Sequence, residues 1–270
     1  MSTNSDRDSK PSVHLIDDDA AAQSANAVVR APRKGIYLLP NLITSAALFA
    51  GFYGMVASMN GHYIPACLAV MAALVLDTAD GRVARLTNTE SEFGAQYDSL
   101  SDMVAFGVAP ALLVFHYSLS GLGRLGWIAT FIYMACAALR LARFNMDSDL
   151  KSFTGLASPA AAVILASLVW VLAESYPSSI DQLWVPYAIA AVTVAMGLLM
   201  VSPIRYFSPK GIDFAHRVQF LTLVGVVLVF AVVIAEPPRV LLVLFSVYAL
   251  SGPTYYLAQK LGKDKKITED

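Results

Sequence analysis

Long apolar segments run through most of this chain, and each is long enough to cross a bilayer as a helix. A spanning helix needs about 20 predominantly apolar residues. Eight segments meet this length, namely residues 36–59, 63–86, 94–117, 124–144, 156–174, 185–203, 214–235 and 239–260. The break between the last two is the shortest, so seven spans stay an open alternative. Only 14% of the residues are charged, against roughly 25% in soluble domains. The sequence therefore predicts an all-α integral membrane protein, a bundle of about eight transmembrane helices.

The composition of the two ends of the chain divides it into three parts. We expect residues 1–34 to form a polar cytoplasmic tail, partly helical near residues 20–29, and residues 262–270 to form a charged tail. Residues 35–261 are expected to form one helical membrane domain. The net charge of −1 gives no reason to expect a nucleic-acid partner. The two cysteines fall inside apolar segments, where they predict packing rather than a disulfide.

Lys and Arg residues are distributed unequally between the two sides of the predicted bundle. One side carries Arg30, Arg33, Lys34, Arg82, Arg85, Arg140, Arg143, Lys151, Arg205, Lys210, Arg217, Lys260, Lys263, Lys265 and Lys266. The opposite side carries only Arg124 and Arg239. Because positively charged loops stay in the cytoplasm, we expect both termini to be cytoplasmic.

Four aspartates interrupt the second and third apolar segments. Asp77 and Asp80 are three residues apart and Asp98 and Asp102 are four apart, so each pair lies on one helix face. Ionisable groups in a membrane span cost about 2.5–3.5 kcal/mol each at its centre. The chain can turn back between the pairs and bring the four carboxylates together. Solvated charges at the interface are the alternative for any one aspartate, but the spacing of all four favours a Mg²⁺-type site shared with a phosphate-bearing substrate.

The same residues resemble the signature of the CDP-alcohol phosphatidyltransferase family. That signature is D-x-x-D-G-x-x-A-R-x8-G-x3-D-x3-D, and its fixed positions are filled here by Asp77, Asp80, Gly81, Ala84, Arg85, Gly94, Asp98 and Asp102. The resemblance implies a metal-dependent transfer of a phosphatidyl group from a CDP-lipid to an alcohol. It also implies the membrane lipid bilayer as the enzyme's surroundings and a homodimer as its assembly.

The resemblance implies a role for each matching position. Asp77, Asp80, Asp98 and Asp102 would hold a divalent metal, Mg²⁺ or Mn²⁺, on the substrate pyrophosphate, and Asp102 would also act as the catalytic general base. The CDP-lipid would be bound by Asn41, Thr44, Asp77, Gly81, Ala84, Arg85 and Ser91. The acceptor hydroxyl would attack the phosphorus directly, although a covalent phosphatidyl-aspartate intermediate remains an open alternative.

The identity of the acceptor alcohol depends on segments outside the signature. Residues 138–145, 153–161 and 201–206 are similar to segments of the phosphatidylserine synthase branch of the family. Ala157 departs from that pattern, which has proline after the Gly-Leu pair. The branch implies CDP-diacylglycerol and L-serine as the substrates. The serine-binding candidates are Arg140 and Arg143 for the carboxylate, with Asn145 and Ser158 as hydrogen-bonding groups.

Other acceptors and one different class of protein are alternatives that the sequence leaves open. The same chemistry could use glycerol phosphate, inositol or inositol phosphate. Acidic groups in spans also occur in cation or substrate transporters, but here the carboxylates gather near one end, and no matching acidic segment occurs in the second half of the chain. We expect the active site to face the cytoplasm from a bacterial inner (plasma) membrane.

Overall fold

The computed structural model describes residues 38–146, 154–175, 184–204, 206, 225 and 231–267, with side chains described as far as residue 256. Regular secondary structure in these ranges is helical. In chain order the elements are α1 (Leu38–Met59), α2 (Tyr63–Leu86), α3 (Glu92–Asp102), a π-helical turn (Met103–Val108), α4 (Ala109–Tyr117), a 3₁₀ turn (Leu119–Leu122), α5 (Arg124–Met146), α6 (Ser158–Ser175), α7 (Val185–Val201) and α8 (Pro237–Ile267).

Five helical units within the described ranges are long and apolar enough to cross a membrane. They are α1, α2, the continuous unit from α3 through α4 (Glu92–Tyr117), α5 and α6. Helix α7 is apolar but shorter, at 17 residues. For the described residues, the prediction of an all-α integral membrane protein is thus confirmed.

Several predicted segment boundaries coincide with helix ends, and others lie where the structure gives no description. The predicted span 63–86 matches α2 (Tyr63–Leu86), whereas α8 continues past the predicted domain end at residue 261 as far as Ile267. Of the predicted span 214–235, only 225 and 231–235 are described, and both are helical. The predicted tail 1–34 lies outside the described residues.

Small side chains let α1 pack closely against its neighbours. A Cβ atom added to Gly51 would lie 2.8 Å from the Cα atom of Ala105, and one added to Gly54 would lie 3.4 Å from the carbonyl oxygen of Ala66. Van der Waals packing of this kind is the main source of helix association where lipid surrounds the bundle. The close approach brings the start of α1 to the ends of α2 and α3 that carry the aspartates.

Helix α6 forms the centre of the bundle. Its side chains from Ala160 to Val169 are almost all buried, and Val163, Leu165 and Ala166 are wholly inaccessible. By contrast, α1 and α5 expose large apolar side chains such as Phe49 and Trp127, which are 66% and 67% exposed. An outer surface of this kind is stable against lipid and unfavourable against water.

A π-helical turn follows Asp102 directly, and Pro110 explains the hydrogen bonding at its end. Proline has no N–H group, so Pro110 cannot bond to the carbonyl oxygen of Phe106 four residues earlier. The hydroxyl of Tyr133, whose side chain is fully buried, donates to that carbonyl at 2.9 Å instead. A buried carbonyl without a partner would be unfavourable, so Tyr133 stabilises the wider turn next to Asp102.

The segment that leads into α6 is held against the end of α7. The N–H group of Gly155 donates to Ile204 at 2.8 Å, and that of Leu156 donates to Leu199 at 3.0 Å. Gly155 has a φ of +87°, and a Cβ atom there would lie 2.2 Å from the carbonyl oxygen of Met200. Only glycine fits this close approach, which fixes the position of Ser158 at the start of α6.

Candidate active site

Three aspartates from two helices meet at one end of the bundle. Asp77 lies in the second half of α2, and Asp98 and Asp102 lie one turn apart on α3. One carboxylate oxygen from each of the three lies within 4.8 Å of the other two. The structure therefore brings together Asp77, Asp98 and Asp102 of the four predicted metal ligands.

The surroundings of this group of three carboxylates fit a divalent cation. A carboxylate oxygen of Asp77 lies within 4.8 Å of one of Asp102, and two ionised carboxylates this close repel each other unless a proton or a cation lies between them. The Oδ1 atom of Asp98 is buried and has no hydrogen-bond partner among the residues described. Oxygen ligands of this type are those that Mg²⁺ prefers, and the donor set would serve Mn²⁺ as well.

Asp80 lies beside this group and is held by helix α1. The Thr44 hydroxyl donates to Oδ2 of Asp80 at 2.6 Å, and both residues are 4% exposed. The carbonyl oxygen of Thr44 in turn accepts from the hydroxyl of Ser101 at 3.2 Å. Thr44 therefore joins α1, α2 and α3 at one point, and its bond to Asp80 fixes the orientation of that carboxylate.

A cleft of about 350 Å³ opens next to the carboxylates. Its lining consists of Pro40, Asn41, Thr44, Asp80, Gly81, Ala84, Arg85, Thr89, Glu90, Ser91, Gly94, Ala95 and Asp98. Six of the seven predicted CDP-lipid ligands are in this set, and the seventh, Asp77, belongs to the group of three carboxylates instead. The volume lies in the range of ligand pockets, about 300–1,000 Å³.

Hydrogen bonds within the protein hold several of the residues that line the cleft in place. Ser91 caps α3, because its hydroxyl accepts from the N–H group of Gly94 at 3.0 Å. A Cβ atom at Gly94 would crowd that hydroxyl at 3.1 Å. The Nε atom of Arg85 donates to the carbonyl oxygen of Gly81 at 3.0 Å, which leaves its terminal nitrogens for an anion. A Cβ atom added to Gly81 would lie 3.7 Å from the Nη2 atom of Arg85, so the missing side chain lets a ligand approach the backbone of α2 beside that guanidinium.

The four predicted serine-binding residues separate into two pairs. The Nη1 atom of Arg140 donates to the hydroxyl of Ser158 at 2.7 Å, and the guanidinium lies close enough to Asp102 for their charges to interact. The Nε atom of Arg140 is buried with no hydrogen-bond partner among the described residues. Arg143 and Asn145 are exposed at the end of α5, where the Oδ1 atom of Asn145 accepts from the hydroxyl of Ser99 at 3.1 Å.

Sequence reasoning missed several residues that border the site. Thr89 and Glu90 line the cleft, Tyr97 shares a 2.8 Å hydrogen bond with the hydroxyl of Ser45, and Tyr248 of α8 lies near the guanidinium of Arg140. A Thr-Asn-Thr-Glu stretch inside the signature was a visible signal for the first two. Tyr248 lies in an apolar segment of α8 and carried no sequence signal.

The family model for CDP-alcohol phosphatidyltransferase matches residues 37–250. The chain belongs to the CDP-alcohol phosphatidyltransferase family. All the predicted site residues fall inside the matched region. In this phosphatidyltransferase, the aspartates of the family signature therefore coincide with the carboxylates that the fold collects at one end of the bundle.

The relatives of this phosphatidyltransferase include proteins that share one descriptive name. Two, from Helicobacter pylori strains 26695 and J99, are 37% and 38% identical over 227 residues, which is 82% of this chain and 92% of each relative. A third, from Methanocaldococcus jannaschii, is 36% identical over 188 residues, 70% of this chain and 82% of the relative. All three are named CDP-diacylglycerol–serine O-phosphatidyltransferase.

Proposed function

We propose that this chain transfers the phosphatidyl group of CDP-diacylglycerol to the hydroxyl group of L-serine, giving phosphatidylserine and CMP. The observation that carries the proposal is the position of the Arg140–Ser158 pair beside Asp102, in a family whose relatives at 36–38% identity bear that name. An arginine next to the proposed base offers a cation for the carboxylate of an amino-acid acceptor.

The donor nucleotide would occupy the cleft, with its phosphates at the aspartate end. Arg85 would pair with a phosphate oxygen, and the missing side chain at Gly81 would let the nucleotide approach the backbone of α2 beside Arg85. Asp77, Asp98 and Asp102, with Asp80 beside them, would hold Mg²⁺ or Mn²⁺. When bound, the metal would neutralise charge on the pyrophosphate and on the leaving CMP.

The chain's own residues would carry out the proton transfer and orient the acceptor. Arg140 would hold the serine carboxylate, with Ser158 fixing the guanidinium, and this would place the serine hydroxyl near Asp102. Asp102 would accept the hydroxyl proton as the serine oxygen forms its bond to the phosphorus that carries diacylglycerol. The bond from that phosphorus to the bridging oxygen would break, and CMP would leave with the electron pair. We favour this direct displacement over a covalent phosphatidyl-aspartate intermediate.

We further propose that the site faces the cytoplasm from a bacterial inner membrane, that both termini are cytoplasmic and that eight spans are present. The supporting observation is the distribution of Lys and Arg, because the arginines at the site end, such as Arg82, Arg85 and Arg143, belong to the cation-rich side. A homodimer is proposed from the family resemblance.

The function is tested with purified full-length protein, CDP-diacylglycerol and Mg²⁺ or Mn²⁺, by measuring CMP release with a panel of acceptors. We expect CMP release with L-serine and none above background with glycerol phosphate, inositol or inositol phosphate. Release with one of the other acceptors instead of serine would reject serine as the acceptor. It would leave the transfer of the phosphatidyl group from CDP-diacylglycerol standing. No release with any of them would reject the enzyme assignment.

Replacing Arg140 with alanine is expected to raise the KM for serine about 10- to 100-fold, because hydrogen bonds to a charged group contribute about 1.5–3 kcal/mol each. The KM for CDP-diacylglycerol should change little, since Arg140 does not line the cleft. Arg140→Lys should give an intermediate KM for serine, because it keeps the charge and loses the bidentate fork.

The matched control is Arg124→Ala, which removes an exposed arginine from the opposite end of the same helix, α5. Its serine KM should stay at the wild-type value. Equal effects of Arg140→Ala on the KM values of both substrates would argue against a serine-binding role and for a general loss of structure.

A further inference from the structure

One face of helix α5 contacts both the π-helical turn and the proposed base. Tyr133 and Arg140 are seven residues, or two helical turns, apart, so both lie on this face. The hydroxyl of Tyr133 donates to the carbonyl oxygen of Phe106 at 2.9 Å, inside the turn. Two turns further along α5, the guanidinium of Arg140 lies close enough to Asp102 for their charges to interact. The α5 face therefore connects the turn with the acid that immediately precedes it.

The π-helical turn is packed directly against α5. The N–H group of Ala109 donates to the carbonyl oxygen of Val104, five residues earlier, which is the hydrogen-bond pattern of a π-helix. A Cβ atom added to Gly107 would lie 3.4 Å from the Cβ atom of Ala137. Because the two backbones approach this closely, side chains of α5 can determine the shape of the turn.

The turn sets the angle between two helix faces that have different tasks. One face of α3 carries Asp98 and Asp102, and α4 buries Leu113 and Val114 in the core, where they are 1% and 0% exposed. At 3.6 residues per turn, one extra residue rotates the side chains before it by about 100° relative to those after it. Closing the turn to an α-helix would therefore rotate the carboxylates relative to the packed core.

We propose that Tyr133 is a positioning residue for the transfer reaction. Its hydrogen bond to Phe106 keeps the π-helical turn open, and the open turn aims Asp102 at the acceptor hydroxyl beside Arg140. This inference rests on the proposed function, because it takes Asp102 as the base. Tyr133 acts through the turn and not on the substrate, since its side chain is fully buried and does not line the cleft.

Tyr133→Phe keeps the ring that fills the core and removes only the donor to Phe106. With saturating substrates and Mn²⁺, we expect kcat to fall about 10- to 100-fold, because a misplacement of about 1 Å can cost about 10²-fold. The Mn²⁺ affinity, measured by electron paramagnetic resonance, should fall about tenfold, since groups that orient metal ligands typically contribute 10–100-fold. The KM for CDP-diacylglycerol should stay near the wild-type value, because Tyr133 does not line the cleft.

The matched control is Tyr63→Phe, which removes the same kind of bond at the other end of the same helical unit. The hydroxyl of Tyr63 donates to the backbone carbonyl oxygen of His116 at 3.1 Å, far along the chain from Asp102. A Tm measurement shows that both variants fold. Only Tyr133→Phe should lower kcat and the Mn²⁺ affinity. Equal losses in the two variants would indicate a general structural effect and overturn the proposal.

Pro110→Ala provides a rescue, because it supplies an N–H group that can bond to Phe106 four residues earlier. This bond can form without disturbing the one from Ala109 to Val104. The double variant Tyr133→Phe/Pro110→Ala should therefore regain the kcat of Pro110→Ala alone. A double variant as impaired as Tyr133→Phe would show that the hydroxyl does not act through this carbonyl, and the proposal would be overturned.

The Mn²⁺ measurements separate this inference from the proposed function. If the wild type releases no CMP with any acceptor, the proposed function fails. A lower Mn²⁺ affinity in Tyr133→Phe than in Tyr63→Phe would still support the positioning of the carboxylates by Tyr133. Wild-type kcat and Mn²⁺ affinity in Tyr133→Phe would overturn the inference even where serine transfer is normal.

Discussion

The Asp102→Asn variant is expected to lose at least about 10³-fold in turnover while it still binds CDP-diacylglycerol. Asparagine has the size of aspartate but cannot accept a proton, and general base catalysis typically contributes about 10²–10⁴-fold in rate. Asp102 is the proposed base because it lies both in the group of three carboxylates and next to Arg140. CMP release measures turnover, and equilibrium binding of the CDP-lipid measures occupancy of the cleft.

The control for this variant is Glu92→Gln, which removes an exposed acidic group from the first turn of the same helix. It should leave turnover near the wild-type value. Raising the Mn²⁺ concentration should not restore the activity of Asp102→Asn, because a missing base differs from a weakened metal site. Near-normal turnover would remove Asp102 as the base, and full recovery at high Mn²⁺ would reduce its role to that of a ligand.

Replacing Asp98 with asparagine is expected to raise the metal concentration needed for half-maximal activity by about 100-fold. Loss of even a supporting group at a metal site typically costs 10–100-fold in affinity, and Asp98 is a proposed direct ligand. Its buried Oδ1 atom has no hydrogen-bond partner among the described residues, so it is available to a cation. For the wild-type protein, removing divalent metal with a chelator should abolish turnover, and adding Mg²⁺ or Mn²⁺ should restore it.

Direct measurement of Mn²⁺ binding by electron paramagnetic resonance tests the same site without turnover. Asp98→Asn should bind Mn²⁺ more weakly than wild type, whereas Ser99→Ala, one position along α3, should bind it normally. Equal Mn²⁺ affinity in Asp98→Asn and wild type would show that the ion is held elsewhere. Chelator-resistant turnover in the wild type would contradict the metal requirement itself.

Local pattern was enough to predict most of the helices and the pairing of the aspartates. A helix face is determined by residues three and four positions apart, so the spacing of Asp98 and Asp102 is sufficient to place them on one face. Apolar length predicted α2 at 63–86, in agreement with the helix Tyr63–Leu86. The π-helical turn after Asp102 was not predicted, although Pro110 was a visible reason for it.

Contacts between distant parts of the chain were not predictable in the same way. The bond from Thr44 to Asp80 joins residues 36 positions apart, and that from Ser101 to Thr44 joins residues 57 apart. Both depend on how closely α1 approaches α2 and α3, which depends in turn on side-chain packing at Gly51 and Gly54. Nothing in the spacing of the signature indicated that Asp80 would bond to α1 while the other three carboxylates meet.

The sequence by itself determined that this chain is a helical membrane protein and that its acidic residues lie on two matching helix faces. Both properties follow from local periodicity and from the cost of placing charge in lipid. The tertiary structure alone decided which acids share a centre and that Arg140 meets Ser158 beside Asp102. These contacts depend on the packing of separate helices, which is not written in the order of the residues.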